Sequence, residues 1–330
     1  MYIPNEQQSI HDHQISSTMH RLSCLFKTYL VFGGSIGWDC FAFSPSVVTS
    51  SSRWMNKRAS SKIIPFAVAN SICSFDETDF AGGVGNWPYT DADFSRIDKS
   101  DDTRFYDSPR FVTHIDDNAI SALTDYYELE MSNKKKGEID VLDLCSSWVS
   151  HLPEQNDIIT YGKVVGVGMN EEELAKNKQL TEYYVQDLNK EPTLSRFEDD
   201  SFDVVCNVVS VDYLTNPLEV FQEMHRVLRP GGIALMSFSN RCFATKAIAM
   251  WLQADDIGRL TIVASYFHYS AKWSSIEAFN LKDAPLKTPD RPSFGEMFSN
   301  PAAGFAWAST ASAVAKSNQG DPMFVVKGVK

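Results

Sequence analysis

No run of eighteen or more consecutive apolar residues occurs in this 330-residue chain, so no transmembrane helix is expected. Its six cysteines follow no regular spacing, which argues against both a disulfide framework and a zinc module. Internal repeats are absent. Basic residues are in deficit: 30 Lys and Arg stand against 42 Asp and Glu, for a net charge of −12. Binding to phosphate backbones needs clustered cations, so nucleic acid is not expected as the main ligand. What is present is ordinary. The chain is 43% hydrophobic and 12% aromatic, enough for a sizeable core.

The scarcest feature of the first 75 residues is acid. Between Met19 and Phe75 only Asp39 is acidic, against Arg21, Lys27, Arg53, Lys57, Arg58 and Lys62. An apolar run from Thr28 to Trp38 has the length of a signal-peptide core and is too short to span a bilayer. A Ser-rich basic tract from Ser44 to Ser61 follows. Ala42-Phe43-Ser44-Pro45 resembles the cleavage context in bipartite presequences of algae with complex plastids. Residues 1–75 are therefore expected to be a targeting presequence, or a disordered tail, outside the fold. The resemblance implies a plastid location; the plain-tail alternative implies a cytoplasmic one. Residues 76–104, with Gly82-Gly83-Val84-Gly85, read as a linker or an arm over the domain.

From Phe105 onward, strands and helices alternate. Asp117 and Asn118 can cap a helix with the stripe Ile120, Leu123 and Tyr127. Short apolar runs follow at Ile139–Leu144, Lys163–Val167, Tyr183–Asp187, Phe202–Val209 and Ile233–Phe238. Asn170 caps a helix through Leu174. Asn216 and Pro217 start another, with Val220, Met224 and Val227 on its face. Arg229-Pro230-Gly231-Gly232 ends it. Helices are also expected from Thr245 to Leu252 and from Ile257 to Ala264, and a last strand at Met323–Gly328. The Pro-containing stretch 282–321 reads as an insertion. This alternation implies a mostly parallel sheet covered on both faces, with ligands bound at the carboxyl ends of its strands.

One block is more specific. It runs from Glu198-Asp199-Asp200-Ser201 through Phe202-Asp203-Val204-Val205 and Asn216-Pro217 to Arg226-Val227-Leu228-Arg229-Pro230-Gly231-Gly232. In that order it resembles the class I S-adenosylmethionine-dependent methyltransferases, specifically the type 11 methyltransferase domain. The resemblance covers about Phe105 to Leu281, plus the last strand. It implies a Rossmann-like, seven-stranded, mostly parallel α/β sheet in a single domain over residues 105–330. It further implies S-adenosyl-L-methionine as cofactor and methyl transfer to a small-molecule acceptor.

Two of the family's three cofactor signatures are altered. The first-loop glycine positions hold Cys145, Ser147 and Val149, and the position of the ribose-binding acid holds Gly168. The third signature, Asp187 for the adenine amino group, is kept, as is Asp143 behind the first loop. The resemblance thus assigns cofactor contacts to Asp143, Cys145, Ser147, Trp148, Met169, Asn170, Asp187, Leu188, Asn207 and Val208. Trp148 can offer an aromatic face to a sulfonium, and Asn170 or Glu171 can replace the missing acid. The glycine-free loop also motivates an alternative, a non-catalytic protein binding a metabolite or a protein partner. A nicotinamide oxidoreductase would need Gly-x-Gly-x-x-Gly after the first strand, which residues 145–150 lack.

Two side chains are catalytic candidates, His151 as a general base and Asp212 as a group that could orient a nucleophile. His151 follows the first loop and has an imidazole suited to that role. Asp212 sits where relatives often carry a His-His pair. His114, Tyr213, Asn240 and Arg241 are candidate acceptor contacts, Arg241 for an acidic acceptor. Each has a structural alternative: packing for His151, helix capping for Asp212, a solvated loop for Arg241. The aromatic run Tyr266-Phe267-His268-Tyr269 reads as core packing, with an acceptor pocket as the alternative.

Overall fold

A computed structural model describes residues 70–134, 137–282 and 320–330, all within one compact unit, Phe66–Lys330. In chain order the elements are β1 (Asn70–Phe75), α1 (Asp102–Phe105), α2 (Asp117–Ser132), β2 (Glu138–Leu144), β3 (Thr160–Gly168), α3 (Glu171–Lys176) and β4 (Glu182–Val185). They continue with β5 (Phe202–Val208), α4 (Pro217–Val227), β6 (Leu228–Phe238), α5 (Ala249–Gln253), α6 (Asp256–Ser270), β7 (Ser275–Asn280) and β8 (Phe324–Val329).

The strands form one sheet in the order β1-β7-β8-β6-β5-β2-β3-β4. The block from β6 to β4 is parallel. β8 lies antiparallel between β6 and β7, and β1 pairs antiparallel with β7. The α/β expectation holds, with eight strands rather than seven. The eighth is β1, which falls inside the segment 1–75 read as lying outside the fold. A bulge between Ser71 and Cys73 breaks any alternation in this short strand, and the basic, serine-rich composition upstream hid its apolar Ile72, Cys73 and Phe75. The rest of the proposed presequence, and 283–319 of the proposed insertion, lie outside the described residues.

Side chains alternate across the sheet and build a core on each face. Leu142, Leu144, Val165 and Val205 face Val220, Phe221 and Met224 of α4 and Leu260, Val263 and Phe267 of α6. Val141, Val164, Val204 and Leu235 face Ala119, Leu123 and Tyr127 of α2. Two caps differ from expectation. α2 is capped by Asp116, whose carboxylate accepts the Ala119 N–H at 2.8 Å. Asn216 stands at the N-cap position of α4 as expected, but its side chain makes no capping bond; it donates instead to the Asn189 carbonyl at 2.9 Å. Pro217 at the first helical position and Leu228 just beyond still bound that helix.

The Arg-Pro-Gly-Gly segment opens β6 rather than preceding it. Arg229 donates to Asp203 at 2.6 Å and to Asp140 at 2.7 Å. Asp203 thereby serves the fold, tying β5 and β2 together at the end opposite their carboxyl termini. Gly231 has φ +77°, a turn conformation that a side chain would strain.

Residues 76–104 are an arm. Trp87 and Phe94 stack at 5.8 Å, and Trp87 packs on Tyr266 at 5.9 Å. Tyr89 Oη pairs with Ser265 Oγ at 2.8 Å, and Tyr269 donates to the Ala81 carbonyl at 3.0 Å. The aromatic run at 266–269 therefore lies within α6, not after a helix, and forms the dock for the arm.

Candidate functional site

Each parallel strand hands its carboxyl end to one cavity of about 280 Å3. From β2 come Asp143, Cys145, Ser147, Trp148 and His151; from β3, Gly168, Met169, Asn170 and Glu173; from β4, Gln186, Asp187, Leu188 and Asn189. β5 supplies Val208, Val209 and Tyr213, and β6 leads to Arg241, Cys242, Phe243 and Lys246. The arm and the approach to α2 close the other side with Arg96, Asp102, Tyr106, Arg110, Val112 and His114.

The first loop keeps its shape without glycine. Cys145 has φ +55°, the left-handed conformation for which glycine is normally used. Serines take over the anchoring. Ser146 and Ser150 both donate to Asp143 Oδ2 at 2.6 Å, and Asn177 donates to Ser150 Oγ at 2.8 Å. Ser147 donates to Glu173 Oε2 at 2.5 Å. Burial pushes the Asp143 carboxyl up to about 6, with its hydrogen bonds opposing the shift. Gly168 is needed where it stands, since a Cβ there would collide with the Ser146 carbonyl. The altered ribose position thus reflects close packing of β3 against the loop.

Strain concentrates here. Five non-glycine residues among those described have left-handed backbones: His114, Cys145, His151, Asp200 and Val209. All but Asp200 line the cavity. Such conformations cost of order 1 kcal/mol or more each and gather at functional sites.

Of the sixteen residues named from sequence, thirteen border the cavity. Asn207, Asp212 and Asn240 do not. Asn207 lies beneath the loop, donating to the Leu144 carbonyl at 3.1 Å. Asp212 is buried behind the wall in the turn Val211–Tyr213, with its Oδ2 unpartnered; burial pushes its carboxyl up to about 8. Buried there, Asp212 does not itself border the cavity. Asn240 is exposed.

Asn170 does border the cavity, but its amide is occupied. It accepts the Glu173 N–H and donates to the Tyr106 and Asp107 carbonyls at 2.8 and 3.2 Å. Trp148 donates its indole N–H to the Val112 carbonyl at 3.0 Å, which ties the loop to the chain before α2. His151 is nearly buried, and desolvation lowers its imidazole to about 4. At neutral pH it is therefore uncharged. His114, T-shaped against Phe243 at 5.3 Å, is also lowered by burial.

Sequence reading missed Glu173, Arg110, Tyr106 and the cluster around Asp102. Glu173 is the buried acid beside the loop, accepting the Arg110 backbone N–H at 2.6 Å through Oε1. Its place one turn into α3, facing inward, was visible only as a third Glu in a run. Asp102 is gripped by Arg96 through both oxygens (2.9 and 2.8 Å), by Lys246 at 3.0 Å and by Asn189 at 3.0 Å. No signal in the sequence joins those four positions.

Residues 145–236 match a protein family described as "Methyltransferase domain". That segment, just over a quarter of the chain, is similar to a methyltransferase domain. No curated protein matches it in sequence. Among solved structures, the chain is similar to an S-adenosylmethionine-dependent methyltransferase from Mesorhizobium loti. Identity is 14% over 64% of this chain and 100% of that one, with a TM-score of 0.35. A methyltransferase from Archaeoglobus fulgidus is 12% identical over 64% and 94%, TM-score 0.37. The phosphoethanolamine N-methyltransferase 2 of Haemonchus contortus is 16% identical over 64% and 52%, TM-score 0.33.

S-adenosylmethionine is the cofactor this similarity implies, and the residues present fit it. Asp187 borders the cavity just beyond β4 and keeps Oδ2 buried with no hydrogen-bond partner, Lys190 standing 3.9 Å away. A buried acceptor left open in this way suits a donor such as an adenine amino group. Cys145, left-handed at the first loop, also borders the cavity. No group of acidic, His and Cys side chains suited to a metal occurs among the described residues.

Proposed function

We propose that this chain transfers the methyl group of S-adenosylmethionine to a small-molecule acceptor held under the arm. The observation that carries this reading is the open oxygen of Asp187 in a cavity built by the carboxyl ends of β2 to β6. Asp187 and Leu188 would hold the adenine end; the Asp143-anchored loop, with Cys145 and Ser147, would hold the amino-acid end. The bound cofactor supplies an electrophilic methyl carbon for in-line displacement. The chain's part is then to position the acceptor and to exclude water. Val112, Thr113 and Phe243 line the cavity. A neutral His151 can hold a hydrogen bond to the acceptor, and nothing in the mechanism requires a strong base.

The glycine-free loop does not favour a non-catalytic reading, because Cys145 already has the backbone conformation glycine would supply. Isothermal titration with S-adenosylhomocysteine tests the cofactor site. The wild type should bind, and Asp187→Ala should weaken binding about 10- to 100-fold, as for loss of a charge-assisted hydrogen bond. No heat at millimolar ligand would sink the proposal. We further propose that residues 1–69 direct the chain to a plastid, supported by the acid-poor tract around Ala42-Phe43-Ser44-Pro45. A fluorescent fusion of that segment with diffuse cytosolic signal would overturn it.

A further inference from the structure

The cations around the cavity are not alike. Lys246, its side chain 1% exposed, is neutralised by Asp98 at 3.1 Å and Asp102 at 3.0 Å. Arg96 lies on Asp102 at 2.8 Å. Arg241 gives Nε to Asp321 at 2.7 Å and leaves its terminal nitrogens at the cavity mouth. Arg110 alone among these four has no ion pair among the described residues. Its guanidinium donates from Nη2 to the Phe105 carbonyl at 2.8 Å and lies 4.4 Å over the Phe105 ring, 5.5 Å from Phe243 and 5.9 Å from Tyr106. The cavity acid Glu173, bonded to its backbone, does not serve it. Both Glu173 oxygens are engaged, one by the Arg110 backbone N–H and one by Ser147.

A half-buried guanidinium with most of its donors open, in a chain of net charge −12, is a device for holding an anion. It stands beside Phe243, which follows β6, and beside Tyr106. We infer that Arg110 binds the negatively charged group of the methyl acceptor, a small carboxylic acid or phosphate monoester. The acceptor's apolar body would lie against Tyr106, Phe243 and Tyr213, with Arg241 adding charge at the mouth. This rests on the methyltransferase reading for the identity of the ligand as acceptor, but the anion site itself can be tested separately.

The test is titration of the full chain, saturated with S-adenosylhomocysteine, with matched probes: benzoate against benzamide, and phenyl phosphate against phenol. At least one anion should bind about tenfold or more tightly than its neutral twin. That preference should vanish in Arg110→Gln and persist in part in Arg110→Lys, both checked for folding by thermal melting. Which pair shows the preference tells carboxylate from phosphate. Affinity for S-adenosylhomocysteine should stay within about twofold in both variants. Equal binding of anions and neutral twins by the wild type would overturn the inference. So would a tenfold loss of S-adenosylhomocysteine affinity in Arg110→Gln, which would make Arg110 the grip on the cofactor's own carboxylate. If the wild type binds no S-adenosylhomocysteine, the methyltransferase proposal fails by itself. The probes are then titrated into the ligand-free chain, where the same charge preference upholds the anion site and its absence overturns it.

Discussion

The cavity has two walls built on different principles. One is the row of strand ends, from Asp143 round to Tyr213, set by backbone ladders and buried apolar side chains. The other is the arm side, Arg96 to His114 with Lys246, held by ion pairs and aromatic contacts between segments far apart in sequence. The strand-end wall is continuous with the core and inherits its rigidity. The arm-side wall depends on a few desolvated charges, which stabilise only while every partner is present. In the proposed reading the strand-end wall would hold the cofactor, and the arm-side wall would meet the acceptor, which must enter and leave.

The largest expected effect breaks the arm-side wall. Lys246→Met removes a fully buried ammonium and leaves Asp102 and Asp98 partly uncompensated. Deleting one partner of a buried ion pair costs about 3–5 kcal/mol. Thermal melting should show that loss, and hydrogen exchange should quicken first over 96–105 while β2 and β5 stay protected. Equal loss of protection in the central strands would mean that both walls unfold as one unit and that the contrast is false.

The same contrast explains what could be read without coordinates. The strand-end wall was legible because each of its residues follows an apolar run, and such runs mark strand ends. Asp143, Ser147, Trp148 and Asp187 follow from the family resemblance together with their place at strand ends, and Tyr213 from its place after the fourth strand. Asn207 and Asp212 were misplaced because residues next to a strand end alternate between facing the cavity and facing the interior, and a turn resets that alternation. The arm-side wall was illegible for another reason. Asp102, Lys246 and Asn189 meet only through tertiary packing, and each is an unremarkable polar residue in its own neighbourhood. β1 and β7 were missed as strands because both read as mixed and partly polar: an edge strand and its neighbour bury less than a central pair.

A middle-sized effect probes the interior behind the strand-end wall. Asp212 has its carboxyl raised from the usual carboxylate range to about 8 by burial. In the unfolded chain it ionises near pH 4. Between those values the folded chain retains a proton that the unfolded chain has lost. Stability therefore falls as pH rises through that window, by at most about 1.4 kcal/mol per pH unit from this group, and levels off above pH 8. Asp212→Asn lacks the ionisation. Melting from pH 5 to 9 should show the variant gaining on the wild type as pH rises, with the gap constant above 8. Parallel curves would mean that the Asp212 carboxylate is ionised in the fold, balanced by the charge of Arg259.

The smallest effect sharpens the account of the first loop. At φ +55°, Cys145 bears a left-handed strain of about 1 kcal/mol that glycine would not. Cys145→Gly relieves that strain but loses the packing of a partly buried thiol and adds chain entropy to the unfolded state. These terms nearly cancel, so stability should stay within about 0.5 kcal/mol of wild type. Cys145→Val keeps an apolar side chain but puts a branched Cβ into the same conformation, and should lose about 1–2 kcal/mol more than the glycine variant. Denaturant unfolding ranks the three chains. Glycine level with cysteine and valine well below means that the backbone angle governs this position, and that a small residue there preserves the loop in glycine's place. Glycine falling as far as valine would instead assign the position to side-chain packing against Asn207, and the loop's shape would then rest on Asp143 and its two serines alone.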